Sequence, residues 1–150
     1  MQSAPQRVAS ATPDRHVQDL LGRWLAERQE LMTRLCNLAA TLRRMRGRAG
    51  ATAQPALDRF CEVLVDYVSA GHFEVYRELI ERHERAGTEA EALALYDLIL
   101  PSTEAALDFN ERYFRGGSGN ALERDLSALG QRLASRFDCE DALIRCLASP

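Results

Sequence analysis

LVDYVSAGHFEVYRELIERHE, residues 64–84, is the stretch on which the fold turns. Its first half carries about as much apolar bulk as a membrane segment, yet acids recur through it and SAGHF interrupts it. Reading backward, Leu57, Phe60, Cys61, Leu64 and Val68 recur at helical spacing, and Pro55 stands where a helix opens. Reading forward, Phe73, Tyr76, Leu79 and Ile80, with His83 beyond them, continue the same period until Gly87. The spacing therefore predicts two helices, 55–70 and 72–86. Gly71 is expected just past the end of the first, so that the two meet at a sharp corner.

The same period extends outward in both directions. Thr12, Pro13 and Asp14 form a helix start, and Val17, Leu20, Leu21, Trp24, Leu31, Met32, Leu35, Leu38 and Leu42 make the stripe of a helix over 14–45. Residues 1–11 are small and polar and are expected to be disordered. RGRAGATAQ reads as a loop. Thr88 and Glu91 suggest a capping box for a fourth helix over 89–115, running inward through Leu93, Leu95, Tyr96, Leu98 and Ile99. Pro101 is expected to kink or interrupt it, after which Ala106, Leu107, Phe109 and Tyr113 face the core. GGSG is a loop, and Asn120 with Glu123 caps a last helix over 120–147. No strand pattern occurs. The expectation is an all-α antiparallel helical bundle, a four-helix-bundle core with additional short helices, forming one domain over 12–150.

Composition narrows the function. All 19 basic residues are arginines, and 22 acids leave a formal charge of −3, mildly repulsive to nucleic acid. Cys36, Cys61, Cys139 and Cys146 show no close pairing and read as free, buried thiols of a reducing compartment. No apolar leader or long apolar run is present, so neither secretion nor membrane spanning is indicated and a cytoplasmic protein is expected.

Candidate chemistry is sparse. A di-iron bundle needs inward carboxylates and Glu-x-x-His pairs; of His16, His72 and His83 none stands three residues after a glutamate, so no metal or cofactor is expected. A helix-turn-helix reading of 57–85 fails on charge, since Glu74, Glu78, Glu81 and Glu84 would lie beside phosphates. GGSG lacks the Lys-Ser/Thr of a phosphate loop. No nucleophile with a base is identifiable, and the chain is not expected to be an enzyme. The second helix says more. With its apolar face inward, Asp58, Glu62, Asp66 and Ser69 fall on one outward stripe, flanked by Val65 and Tyr67, with Phe73 and Tyr76 just past the corner. Acids beside aromatics suit an arginine-rich helical partner.

FCEVLVDYVSAGHFEVYRELI, residues 60–80, closely resembles the core of the Rsd/AlgQ family, the bacterial regulators of sigma D. RWLAERQEL at 23–31, RFDCEDALI at 136–144 and ALDFN at 106–110 are similar to further family elements, in family order. The resemblance implies an all-helical anti-sigma factor that binds region 4 of the primary sigma factor, blocking its contacts with core RNA polymerase and the −35 promoter element. It implies Asp66 as the central acidic contact, with Tyr67, Ser69 and Phe73 beside it and His72 bracing the corner. Arg23, Trp24 and Arg28 match the first-helix element; Trp24 is expected in the core and the arginines to pair with Glu140 or Asp141. Gly22 departs from the family pattern, in which an acid is expected there. A second reading is a bundle that binds a small anion in a cavity lined by Arg23, Arg28, His72 and Glu140. Oligomeric state is left open.

Overall fold

The structure, a computed structural model, describes residues 14–46, 53–116 and 121–148, and the side-chain surroundings of all of these but 14, 70–74 and 146–148. The expectations for residues 1–11, Thr12, Pro13, Asn120 and most of both loops, and for the side chains of His72, Phe73 and Cys146, lie outside what is described. Five helices account for nearly all the rest: α1 (Asp14–Arg44), α2 (Gln54–Val68), α3 (Ala70–Ala86), α4 (Glu89–Tyr113) and α5 (Leu122–Ala148), with no strand among the described residues.

α1, α2, α4 and α5 form a ring in which each packs on the next, and α3 packs on all four. The diagonal pairs, α1 with α4 and α2 with α5, have no close backbone approach among the described residues, and α2 meets α5 through side chains, Tyr67 against Glu140 and Phe137. Chain length sets the directions. Residues 114–121 can reach about 27 Å, less than the roughly 37 Å length of α4, so α5 must return antiparallel along it. The core is closed by Leu31, Leu38, Phe60, Leu64, Leu79 and Leu133, all essentially inaccessible. Phe60 meets Phe109 edge to face at 5.8 Å, joining α2 to α4.

The corner between α2 and α3 differs from expectation. Its break is the single residue Ser69 (φ −103°, ψ −128°), whose amide returns to the Val65 carbonyl at 3.0 Å; Gly71 lies already inside α3. Negative φ is open to any L residue, so no glycine is required at the break. Gly87 does take the glycine role, at φ 81°: its amide bonds the Glu84 carbonyl, and that of Thr88 bonds the His83 carbonyl at 2.9 Å.

Three other expectations are corrected. The Thr88 hydroxyl does not cap α4; it lies 2.6 Å from Nδ1 of His83, whose Nε2 donates to the Leu143 carbonyl at 3.2 Å. His83 is wholly buried, and a buried ring must satisfy both nitrogens, which here ties the end of α3 to α5. Pro101 does not interrupt α4, because it sits on the exposed side, where the carbonyl it leaves without an amide partner meets water. Leu93, Leu98 and Leu107 are exposed rather than in the core, since α4 carries leucines on its outer as well as its inner side and turns only the arc of Ala92, Ile99, Ala106, Phe109 and Tyr113 inward. Cys36 is also exposed; Cys61 is buried and Cys139 half-buried, all three as thiols.

Gly22 is exposed within α1, with nothing within 4 Å of where a Cβ would stand. Gly22→Ala is therefore expected to stabilise the protein by about 0.5–1 kcal/mol, a rise of roughly 1–4 °C in Tm by calorimetry. A fall in Tm would mean that a neighbour occupies that space.

Candidate functional site

Asp58, Glu62 and Asp66 follow at four-residue steps along α2 and so share a side of it. Their surroundings differ. Asp58 is held within the chain, accepting from Gln54 Nε2 at 2.6 Å and from the Arg115 amide at 2.8 Å, which fastens the end of α4 to α2. Glu62 is exposed and lies 3.6 Å from Arg59, and Asp66 is exposed. The outward acidic ridge is thus Glu62 and Asp66. Beside it lies a cavity of about 440 Å³, bounded by Arg59, Glu62, Val65, Asp66, Asn110 and Phe114, with Cys61 in its wall. Burial, then the charge of Asp58, pushes the Cys61 thiol up to about 12, so it stays protonated and unreactive. Ser69 is exposed, but its hydroxyl is bonded to the Val65 carbonyl.

Tyr67 does not flank the ridge. One residue on from Asp66 the helix has turned about 100°, and Tyr67 is 1% exposed, its ring edge to face with Phe137 at 5.8 Å. Tyr67 and Asp66 therefore do different things.

Tyr67 belongs to a buried polar network to which every helix contributes. Trp24 Nε1 of α1 donates to the Tyr67 hydroxyl at 2.8 Å, which donates to Glu140 Oε1 of α5 at 2.7 Å. Tyr76 of α3 donates to Glu140 Oε2 at 2.6 Å. Arg136, one turn before Glu140, places Nε 2.9 Å from the same oxygen and Nη2 2.9 Å from the Tyr76 hydroxyl. Its Nη1 donates to Ser102 and Thr103 of α4 at 3.0 and 2.8 Å. Arg136 and Glu140 are wholly buried, and such a pair is tolerable only when its remaining donors and acceptors are occupied, as they are here. Burial, then the charge of Glu140, pushes both tyrosine hydroxyls well above the ordinary phenol range, which keeps them as donors.

Arg28 carries the network toward the surface. It lies 3.5 Å from Glu140, donates to Asp141 at 2.8 Å and stacks over Phe137 at 5.0 Å. Arg23, by contrast, is exposed and is not drawn into this cluster. Among the described residues of the cavity expected from Arg23, Arg28, His72 and Glu140, Arg23 is therefore not brought together with Arg28 and Glu140. Arg28 pairs with two carboxylates, and among the described residues Glu140 is surrounded by the Tyr67 and Tyr76 hydroxyls and the Arg136 guanidinium. Ser102, Thr103 and Arg136 are the members that sequence reasoning missed, and Tyr76, expected just past the corner beside the acidic stripe, is instead buried in the network. A signal was present: Leu133, Arg136, Phe137, Glu140 and Leu143 recur at core spacing on α5, so the two charges occupy inward positions.

Among the described residues no group of three His, Cys, Asp or Glu side chains could hold a metal ion, and no helix is long and apolar enough to cross a membrane. The ridge presents two exposed carboxylates beside a partly apolar recess, while the network joins the five helices.

Comparison with known proteins gives one consistent result. The family described as "Regulator of RNA polymerase sigma(70) subunit, Rsd/AlgQ" matches residues 6–148. The chain is 30% identical to the "Regulator of sigma D" of Yersinia enterocolitica over 99% of its own length and 88% of that protein's. It is 33% identical to proteins of the same name from Enterobacter sp. (strain 638), over 83% of this chain and 78% of the relative, and from Salmonella paratyphi B, over 83% and 79%. No solved structure matches it.

Proposed function

The chain belongs to the Rsd/AlgQ family of regulators of the RNA polymerase sigma(70) subunit, and from that premise we propose that it is an anti-sigma factor gripping region 4 of the primary sigma factor with the α2 ridge. The reading is of a non-enzymatic regulator acting by occupancy. Region 4 is a basic helical module that reads the −35 element and docks on core polymerase, so covering it removes both contacts. The observation that supports this placement is Asp66: exposed, next to Glu62, and on the rim of a recess floored by Val65 and Phe114. A guanidinium seated there would meet two carboxylates, and its stem would lie on apolar surface. Asp58 is a fastening of α4 and not a contact in this reading. His72 and Phe73, which lie at the start of α3, remain candidate neighbours of the contact.

Asp66→Ala is expected to leave the unfolding midpoint within about 0.5 kcal/mol of the parent, as for other exposed substitutions. It should weaken binding to isolated region 4 by about 1–3 kcal/mol, roughly 5- to 150-fold. Parent affinity should also fall as salt rises, because exposed charges are screened over about 10 Å at 0.1 M. Titration calorimetry measures both. Undiminished binding by the variant removes Asp66 from the interface. A gel shift with promoter DNA and the chain alone is expected to show no complex at moderate salt.

A further inference from the structure

The outward face of α4 is left without an explanation by the bundle or by the α2 ridge. Leu93, Leu100 and Leu107 are 43%, 42% and 45% exposed and stand seven residues apart, a line about 21 Å long on one side of the helix. Leu98, at 65%, widens the apolar surface around the helix. Four leucines this open on one helix exceed the scattered apolar residues of an ordinary surface. Four residues after each of the three in line comes an acid, Asp97, Glu104 and Glu111, so leucine and carboxylate alternate along the same stripe.

Charge decides what fits. α4 carries six acids and one base, Arg112, which is already paired with Asp125 at 3.0 Å. A second copy would set one row of carboxylates against another, so the stripe is unsuited to self-association. A helix with leucines at a seven-residue repeat and arginines or lysines beside them would bury the leucines and answer each acid. We propose that the exposed Leu93–Leu100–Leu107 stripe of α4, with Asp97, Glu104 and Glu111, is a docking surface for a basic amphipathic helix, separate from the ridge at Asp66. It goes beyond the sigma reading and stands whether or not region 4 seats on α2.

The test uses the full chain and a fluorescein-labelled synthetic helix with leucine at every seventh residue and arginine four residues after each leucine. A second peptide carries glutamate in place of arginine. Anisotropy titrations are expected to show the arginine peptide binding at least about tenfold more tightly than the glutamate peptide, with the difference shrinking as salt rises. Leu100→Ser with Leu107→Ser, exposed positions whose replacement should leave the circular dichroism spectrum unchanged, is expected to weaken binding about tenfold or more. Glu104→Arg should weaken it too, and Asp66→Ala should not. The proposal is overturned if the arginine peptide fails to bind at 0.1 mM, or if the leucine variant binds it as the parent does. Loss of binding in Asp66→Ala would instead place the peptide on α2. Sedimentation showing a dimer of the parent that the leucine variant abolishes would make a second copy the occupant and likewise overturn it.

Discussion

Glu140→Ala is expected to lower the unfolding free energy by about 3–5 kcal/mol, the usual result of removing one partner of a buried ion pair. Arg136 would keep its charge in the interior with Nε facing a void, and the hydroxyls of Tyr67 and Tyr76 would lose the acceptor that both now use. Against a total stability of roughly 5–15 kcal/mol, this brings the protein close to its threshold. Urea denaturation followed by circular dichroism measures it, with the midpoint moving by about 2 M if the slope is near 2 kcal/mol per M. The companion Arg136→Met with Glu140→Leu removes both charges and should recover a good part of the loss. If the double variant is no better than Glu140→Ala, the cost lies in the tyrosine hydroxyls and not in the stranded guanidinium. A loss below about 1 kcal/mol in the single variant would mean that the network contributes little to stability.

Trp24→Ala is the second large effect, about 3–5 kcal/mol. The indole is 2% exposed, meets Tyr76 edge to face at 5.5 Å and donates to the Tyr67 hydroxyl, so its loss empties a volume against α2 and α3 together. Tm should fall by about 10 °C. The readout is circular dichroism, since Trp24 is the chain's one tryptophan. Trp24→Phe keeps most of the apolar volume and removes only the donor, and about 1 kcal/mol is expected for it. Equal losses for phenylalanine and alanine would show that the hydrogen bond, and not the filled volume, is what matters. Neither change touches the exposed carboxylates of α2, so the binding to region 4 proposed above should persist at temperatures where the variants remain folded.

Helix positions were legible because they depend on near neighbours in the chain. The three- and four-residue recurrence of Leu57, Phe60, Cys61, Leu64 and Val68 marks α2 without knowledge of what it packs on, and Gly87 marks the end of α3 by its own conformational freedom. The errors came where a residue answers to something distant. Thr88 has the sequence of a cap, but a buried histidine claims its hydroxyl. Leu98 and Leu107 look like core by composition, but α4 has more apolar surface than the bundle has room to cover.

The sequence by itself determined an all-helical chain, and the signature around residues 60–80 with its companions determined the family. Only the tertiary structure decided which groups of that signature face outward and which face inward. Asp66 and Tyr67 are adjacent in the chain, yet one is exposed and the other meets Trp24 43 residues before it and Glu140 73 residues after it. Periodicity assigns a side chain to a face of its own helix. Whether a polar group on that face is buried depends on a donor or acceptor brought from another helix, and that pairing exists only once the five helices have packed.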